Sequence, residues 1–183
     1  TIRANGNMLR LTACTYADRK LHLRFGKDDT QVVVQCSSKD KYLTFTVLAV
    51  EGEGVESLSF LSLTVQSGKH ASGTSGAVTD DDWGVCLREL NLQTQVSVGG
   101  GPPAFRANCT AEYGLVGSKA GLVVAAADDL RPALQEMVQA EGLPQSSLGG
   151  PCALDAEGIR GSYLFAHPSE RDAERWTDLA KRG

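Results

Sequence analysis

The sequence predicts a mainly β protein: an antiparallel β-sandwich with one covering α-helix and a C-terminal linker plus helix. Three observations carry that prediction. Apolar and polar residues alternate with period two through much of the first 127 residues, as half-buried antiparallel strands require. Clusters of Gly, Asp, Ser and Pro separate these runs at short intervals, which fits a sandwich better than βαβ units. Helical apolar spacing appears only beyond residue 127.

Met8 to Cys14 places Leu9, Leu11 and Ala13 on one side and Arg10 and Thr12 on the other. Leu21, Leu23 and Phe25 alternate with Lys20, His22 and Arg24. Gln31 to Ser37, with Val32, Val33 and Val34, reads as a more buried strand. From Lys41 to Val50, Leu43, Phe45 and Val47 oppose Tyr42, Thr44 and Thr46, so Tyr42 is expected to face outward. In Glu56 to Gln66, Leu58 and Phe60 keep one phase, and then Leu61, Leu63 and Val65 take the other. That slip predicts a β-bulge. Further strands are expected at Trp83–Leu87, Gln93–Val98, Phe105–Glu112 and Lys119–Ala127.

The first helix is well punctuated. Asp129 is placed to cap it, Pro132 lies in its first turn, and Gly142 with Pro144 ends it. Leu130, Leu134, Met137 and Val138 share one face. The domain plan is thus a sandwich over 1–127, a covering helix over 128–142, and a connector with a C-terminal helix over 143–183. Ser169 and Asp172 resemble a capping box at the start of that last helix, and Ala173, Trp176, Leu179 and Ala180 form its stripe. Such a stripe needs a partner. With no Met at Thr1 and no chain after Gly183, the expectation is a sequence cut at both ends.

A formal net charge of −4 with scattered Lys and Arg gives no nucleic-acid signature, and no apolar run reaches a membrane span. Cys14, Cys36, Cys86, Cys109 and Cys152 include no CxxC pair. Buried thiols on strands and two disulfides in an exported protein both remain open. Asn108-Cys109-Thr110 matches a glycosylation triplet that also arises by chance.

The inventory for catalysis is thin. His22, His70 and His167 lie far apart, and His22 sits on the polar phase of its strand. Ser38 to Lys41 matches SxxK in a polar turn instead of at a helix start, and Gly117 to Gly121 lacks the GxSxG order. Asp155 and Glu157 are a carboxylate pair without rigid support. These residues assemble no complete active site and no cofactor motif. Asp80 and Asp82, in an acidic run before Trp83, are the metal candidates, with Ca²⁺ the cation their oxygens suit. Tyr42, if outward, is the candidate carbohydrate-stacking ring; Tyr16, Trp83, Phe105 and Tyr113 are the sandwich's other main aromatics.

Four segments carry a resemblance. They are Gly114-Leu115-Val116-Gly117-Ser118-Lys119-Ala120-Gly121-Leu122-Val123-Val124, then Leu130 to Val138, then Gly149-Gly150-Pro151-Cys152-Ala153-Leu154-Asp155-Ala156, then Arg160-Gly161-Ser162-Tyr163-Leu164-Phe165. Together they look like the N-terminal β-sandwich and linker region of large bacterial glycoside-hydrolase-like proteins, in which a (β/α)-barrel catalytic domain follows. The resemblance covers about residues 114–182, and Cys152 stands where that pattern has an aromatic.

It implies a non-catalytic accessory domain of a secreted or periplasmic polysaccharide-degrading protein, bracing or lining the cleft of a following barrel. Tyr163, Phe165, Trp176 and Leu179 would then meet that catalytic domain, or a partner subunit. No catalytic residue carries over, because hydrolytic groups of such barrels lie at the ends of barrel strands. Two other functions fit the sequence: a structural or assembly subunit docking through its C-terminal helix, and a freestanding carbohydrate-binding module.

Overall fold

Among the described residues, which are 1–26, 30–66, 68–72 and 76–144, the alternating runs become thirteen strands and one α-helix in the computed structural model. The strands are β1 (Ile2–Ala4), β2 (Asn7–Leu9), β3 (Leu11–Ala17), β4 (Lys20–Phe25), β5 (Thr30–Ser38), β6 (Tyr42–Glu51), β7 (Val55–Thr64), β8 (His70–Ser72), β9 (Ala77–Thr79), β10 (Trp83–Glu89), β11 (Gln95–Gly99), β12 (Ala104–Thr110) and β13 (Lys119–Ala126). A 3₁₀ turn, Ala127–Asp129, leads into α1, Leu130–Ala140. The described residues belong to the first of two units, Thr1–Pro144. The expected C-terminal helix, Cys152, and the expected contacts of Tyr163, Phe165, Trp176 and Leu179 lie outside the described residues.

Two antiparallel sheets form. One has five strands in the order β11-β12-β7-β1-β2, and the other eight in the order β3-β4-β5-β6-β13-β10-β9-β8. Their facing sides share one core. Ile2, Leu58, Phe60, Phe105 and Ala107 from the smaller sheet meet Phe25, Val32, Val34, Val47, Val85 and Leu87 from the larger. The expected sandwich with a covering helix is what the chain adopts.

The phase slip in β7 is a real bulge. Ala107 pairs with Leu61 but Asn108 pairs with Ser59, so Phe60 is the extra residue. The bulge lets Leu58, Phe60 and Leu61 all be buried despite the change of phase.

The Met8–Cys14 run differs from expectation. It is two strands, β2 in the smaller sheet and β3 in the larger, and the chain changes sheets at Arg10. All of β3 is exposed, including Leu11. The larger sheet has three more strands than the smaller, and β3 is its outermost. A second irregularity between Leu11 and Ala13 also moves the side chains out of simple alternation.

The opposite face of the larger sheet holds a second core, made by Tyr42, Leu90, Val123, Ala133 and Met137. Helix α1 covers it. Two glycines seat the helix: a Cβ on Gly121 would lie 2.5 Å from Met137 Sδ, and one on Gly84 would lie 2.6 Å from Leu130 Cδ2. Asp129 stands at the N-cap position but makes no side-chain cap bond. The preceding 3₁₀ turn holds it at φ −91°, ψ −12°, outside the extended conformation that aims a cap oxygen at the first turn. The other end closes as a Schellman motif. Leu143 N–H donates to Val138 O at 3.0 Å and Gly142 N–H to Gln139 O at 3.2 Å, with Gly142 at φ 65°.

Candidate functional site

The described residues singled out by sequence fall on separate elements. Asp80 and Asp82 lie just before β10. Asp80 Oδ1 accepts from the Asp81 N–H at 2.8 Å, and Lys69 Nζ stands 3.7 Å from that oxygen while also pairing with Asp81. The ammonium competes for the acidic oxygens, and among the described residues no group of three or more His, Cys, Asp or Glu is placed to hold a metal. His22 is exposed on β4, as its phase predicts.

Tyr42 corrects the expectation of an outward ring. It does lie on the face away from the sandwich core, but α1 covers that face and leaves Tyr42 5% exposed. Its ring is therefore not available for stacking on a sugar. Instead the hydroxyl donates to Glu141 Oε1 at 3.1 Å, while Lys119 Nζ pairs with Glu141 Oε2. Burial, followed by the bond to Glu141 and its charge, pushes Tyr42 up to about 12. Burial alone would raise the Glu141 carboxyl, but the Lys119 and Tyr42 bonds and the Lys119 charge outweigh it and hold the group below its ordinary value. The three side chains are a clamp at the end of α1, not a reactive centre.

The thiols are likewise poorly set for chemistry. Burial pushes Cys86 up to about 11 and raises Cys109 as well, which keeps both protonated near neutrality. Cys36 is half-buried and Cys14 exposed, and Cys14, Cys36 and Cys109 form no disulfide.

A cleft that the sequence did not reveal lies where β11 and β12 meet the loops at 91–94 and 111–118. It has a volume of about 230 Å³ and is lined by Leu92, Gln95, Asn108, Thr110 and Tyr113, among others. Gln95 and Asn108 are direct cross-strand partners, so their amides share a face, and Thr110 follows two residues along β12. Leu92 is fully exposed and Tyr113 is 63% exposed.

Backbone and side-chain bonds stiffen both loops. Asn91 Nδ2 donates to Gly117 O at 2.8 Å, Thr94 Oγ1 to Asn91 Oδ1 at 2.9 Å, and Gln93 Nε2 to Tyr113 O at 3.0 Å. Gly114, at φ 96°, is needed there because a Cβ would come within 2.4 Å of Gln93 Nε2.

Thr110 Oγ1 is buried with no hydrogen-bond partner, although such groups are normally satisfied. Among the described residues, the lining combines amides and two exposed apolar side chains with a buried, unpartnered hydroxyl, and it includes no Asp, Glu, Lys, Arg or His. Such a lining suits an uncharged, hydroxyl-rich ligand against an apolar rim.

No family model, no curated protein and no solved structure matches the chain. Among the described residues no helix is long and apolar enough to cross a membrane.

A second cleft, about 530 Å³, lies beside the β1–β2 turn and is lined by Asn5, Asn7, Leu9, Thr30 and Glu53, with Ala4 and Gly52. Asn5 is already committed there, with Nδ2 donating to Glu53 O at 3.3 Å. Neither cleft was legible beforehand, because each gathers residues from strands and loops whose pairing alternation does not specify.

Proposed function

We propose that this chain is a non-catalytic β-sandwich module of a polysaccharide-degrading, glycoside-hydrolase-like protein, and that it touches neutral glycan through the Tyr113 cleft. The uncharged lining of that cleft carries the reading. Sugars present hydroxyls for amides and apolar C–H faces for rings, and Gln95, Asn108, Thr110 and Tyr113 supply both kinds of contact. The clamp of Tyr42, Lys119 and Glu141 supports a bracing role, since it fastens the last turn of α1 to the larger sheet. The sequence resemblance supplies the polysaccharide-degrading context, with a barrel domain following and the protein secreted or periplasmic, where such substrates occur.

Affinity electrophoresis of the chain in gels containing neutral polysaccharides tests the glycan contact. Retardation by at least one polymer is expected, with Tyr113→Ala weakening it about tenfold while the fold is unchanged. No retardation by any neutral polymer would sink the glycan contact. Intact mass spectrometry of the native polypeptide tests the accessory role. A mass far above 19.4 kDa is expected, and a native chain of that mass overturns the role.

A further inference from the structure

We propose that β3 is a self-complementary edge through which two copies of this chain pair antiparallel about Cys14, joining their larger sheets into one. Among the described residues each sheet has two edges: β3 and β8 in the larger, β2 and β11 in the smaller. β2 and β8 have three residues each and β11 has five, whereas β3 has seven, none of them charged and none Pro. Edges are normally kept from pairing by short length, charge or Pro, and β3 has only the irregularity near Thr12.

The bonding groups are directed outward. Ala17 and Lys20 close a two-residue turn whose Asp18 and Arg19 sit at φ 51° and 60°. Cys36 N–H donates to Arg19 O at 2.8 Å, so Lys20 turns its own N–H and C=O toward β3 instead of β5. Counting from there, the Ala17, Thr15 and Ala13 pairs bond to β4, and the N–H and C=O groups of Tyr16 and Cys14 face away from the sheet.

The charges flanking the strand are complementary about this point. With Cys14 opposite Cys14 of the second copy, Ala13 meets Thr15, and Tyr16 meets the Leu11–Thr12 irregularity. Arg10 at one end of the strand then falls toward Asp18 at the other end of its mate, and this happens twice because the pairing is two-fold. Apolar surface collects at the same edge: Leu11 is 49% exposed and Tyr16 63%, and both lie on the core-side phase with Cys14. Opposite charges at both strand ends, a backbone edge unpaired among the described residues and exposed apolar side chains all favour a second copy as the occupant.

Sedimentation equilibrium of the full chain over a range of micromolar concentrations tests this independently of any glycan. A monomer–dimer equilibrium is expected for the wild type. Cys14→Pro removes an outward donor without taking a bond from β4, and it is expected to leave a folded monomer. Asp18→Arg sets like charges against Arg10 and is expected to weaken association about tenfold. The double exchange Arg10→Asp with Asp18→Arg restores it. A wild type that stays monomeric throughout overturns the proposal, as does a dimer indifferent to Cys14→Pro or to the charge exchange.

Discussion

The Tyr42 hydroxyl and the Glu141 carboxylate, 99 residues apart in sequence, are joined by a 3.1 Å hydrogen bond across the seam between α1 and the larger sheet. Helix burial rests mainly on Ala133 and Met137, and this bond adds direction at the helix's end. Tyr42→Phe is expected to cost about 1–2 kcal/mol, since a bond to a charged acceptor is lost while the ring still fills its site. Urea unfolding with an unchanged slope would confirm a native-state effect.

Acid should loosen the same clamp. The Glu141 carboxyl is held below its unfolded value, so its contribution is present above the ordinary carboxyl range and lost as pH falls through the lowered value. The acid limb of the stability profile should therefore be shallower in Glu141→Gln than in the wild type. Identical limbs in the two proteins would show that the carboxylate is not held as described.

Alkali acts through the partner. Tyr42 rises from 10.0 to about 12 on folding, so its contribution is intact below 10 and declines as pH climbs toward 12. Cys86, raised from 9.0 to about 11, adds a decline that begins lower. Tyr42→Phe should remove the upper part of this alkaline loss and leave the lower part. An ultraviolet titration should show one tyrosine ionising late in the folded protein.

Gly76 gives a sharp backbone test. It sits at φ 60°, its carbonyl accepts from Leu87 N–H at 2.9 Å, and an added Cβ would lie 2.4 Å from Leu87 O. Gly76→Ala is expected to cost about 2–4 kcal/mol, because left-handed strain and a clash with backbone add together. Gly121→Ala meets side chains alone, Met137 Sδ at 2.5 Å and Leu90 Cδ1 at 3.1 Å, with no left-handed strain, and should cost less. Thermal melts of the two variants would rank them.

Local pattern disclosed what is local. The slip after Phe60, the buried face of β4 and the span of α1 were all legible, because each depends on residues a few positions apart. What covers a face was not legible. Tyr42 was placed on the outward side, yet only the arrival of α1 decides that this side is dry. Gly84 and Gly121 lie within expected strands, and only the position of α1 gives a reason for the missing side chain at each. The β2–β3 run kept one apparent rhythm across Arg10, although it divides between two sheets. The Tyr113 cleft depends on Gln95 and Asn108 being opposite one another, a fact of register that alternation does not encode.

Strand β13 lies between β6 and β10, with the sandwich core on one face and α1 on the other. Its peptide groups are thus screened from water both along the ladder and above and below it. In deuterium, the amides of Leu122 and Val123 should be among the last to exchange, opening only when the whole unit unfolds, whereas those of Cys14 and Tyr16, which face away from β4, should exchange early in the monomer. The stability of the unit is then read at its middle strand, and its readiness to meet other molecules at its rim.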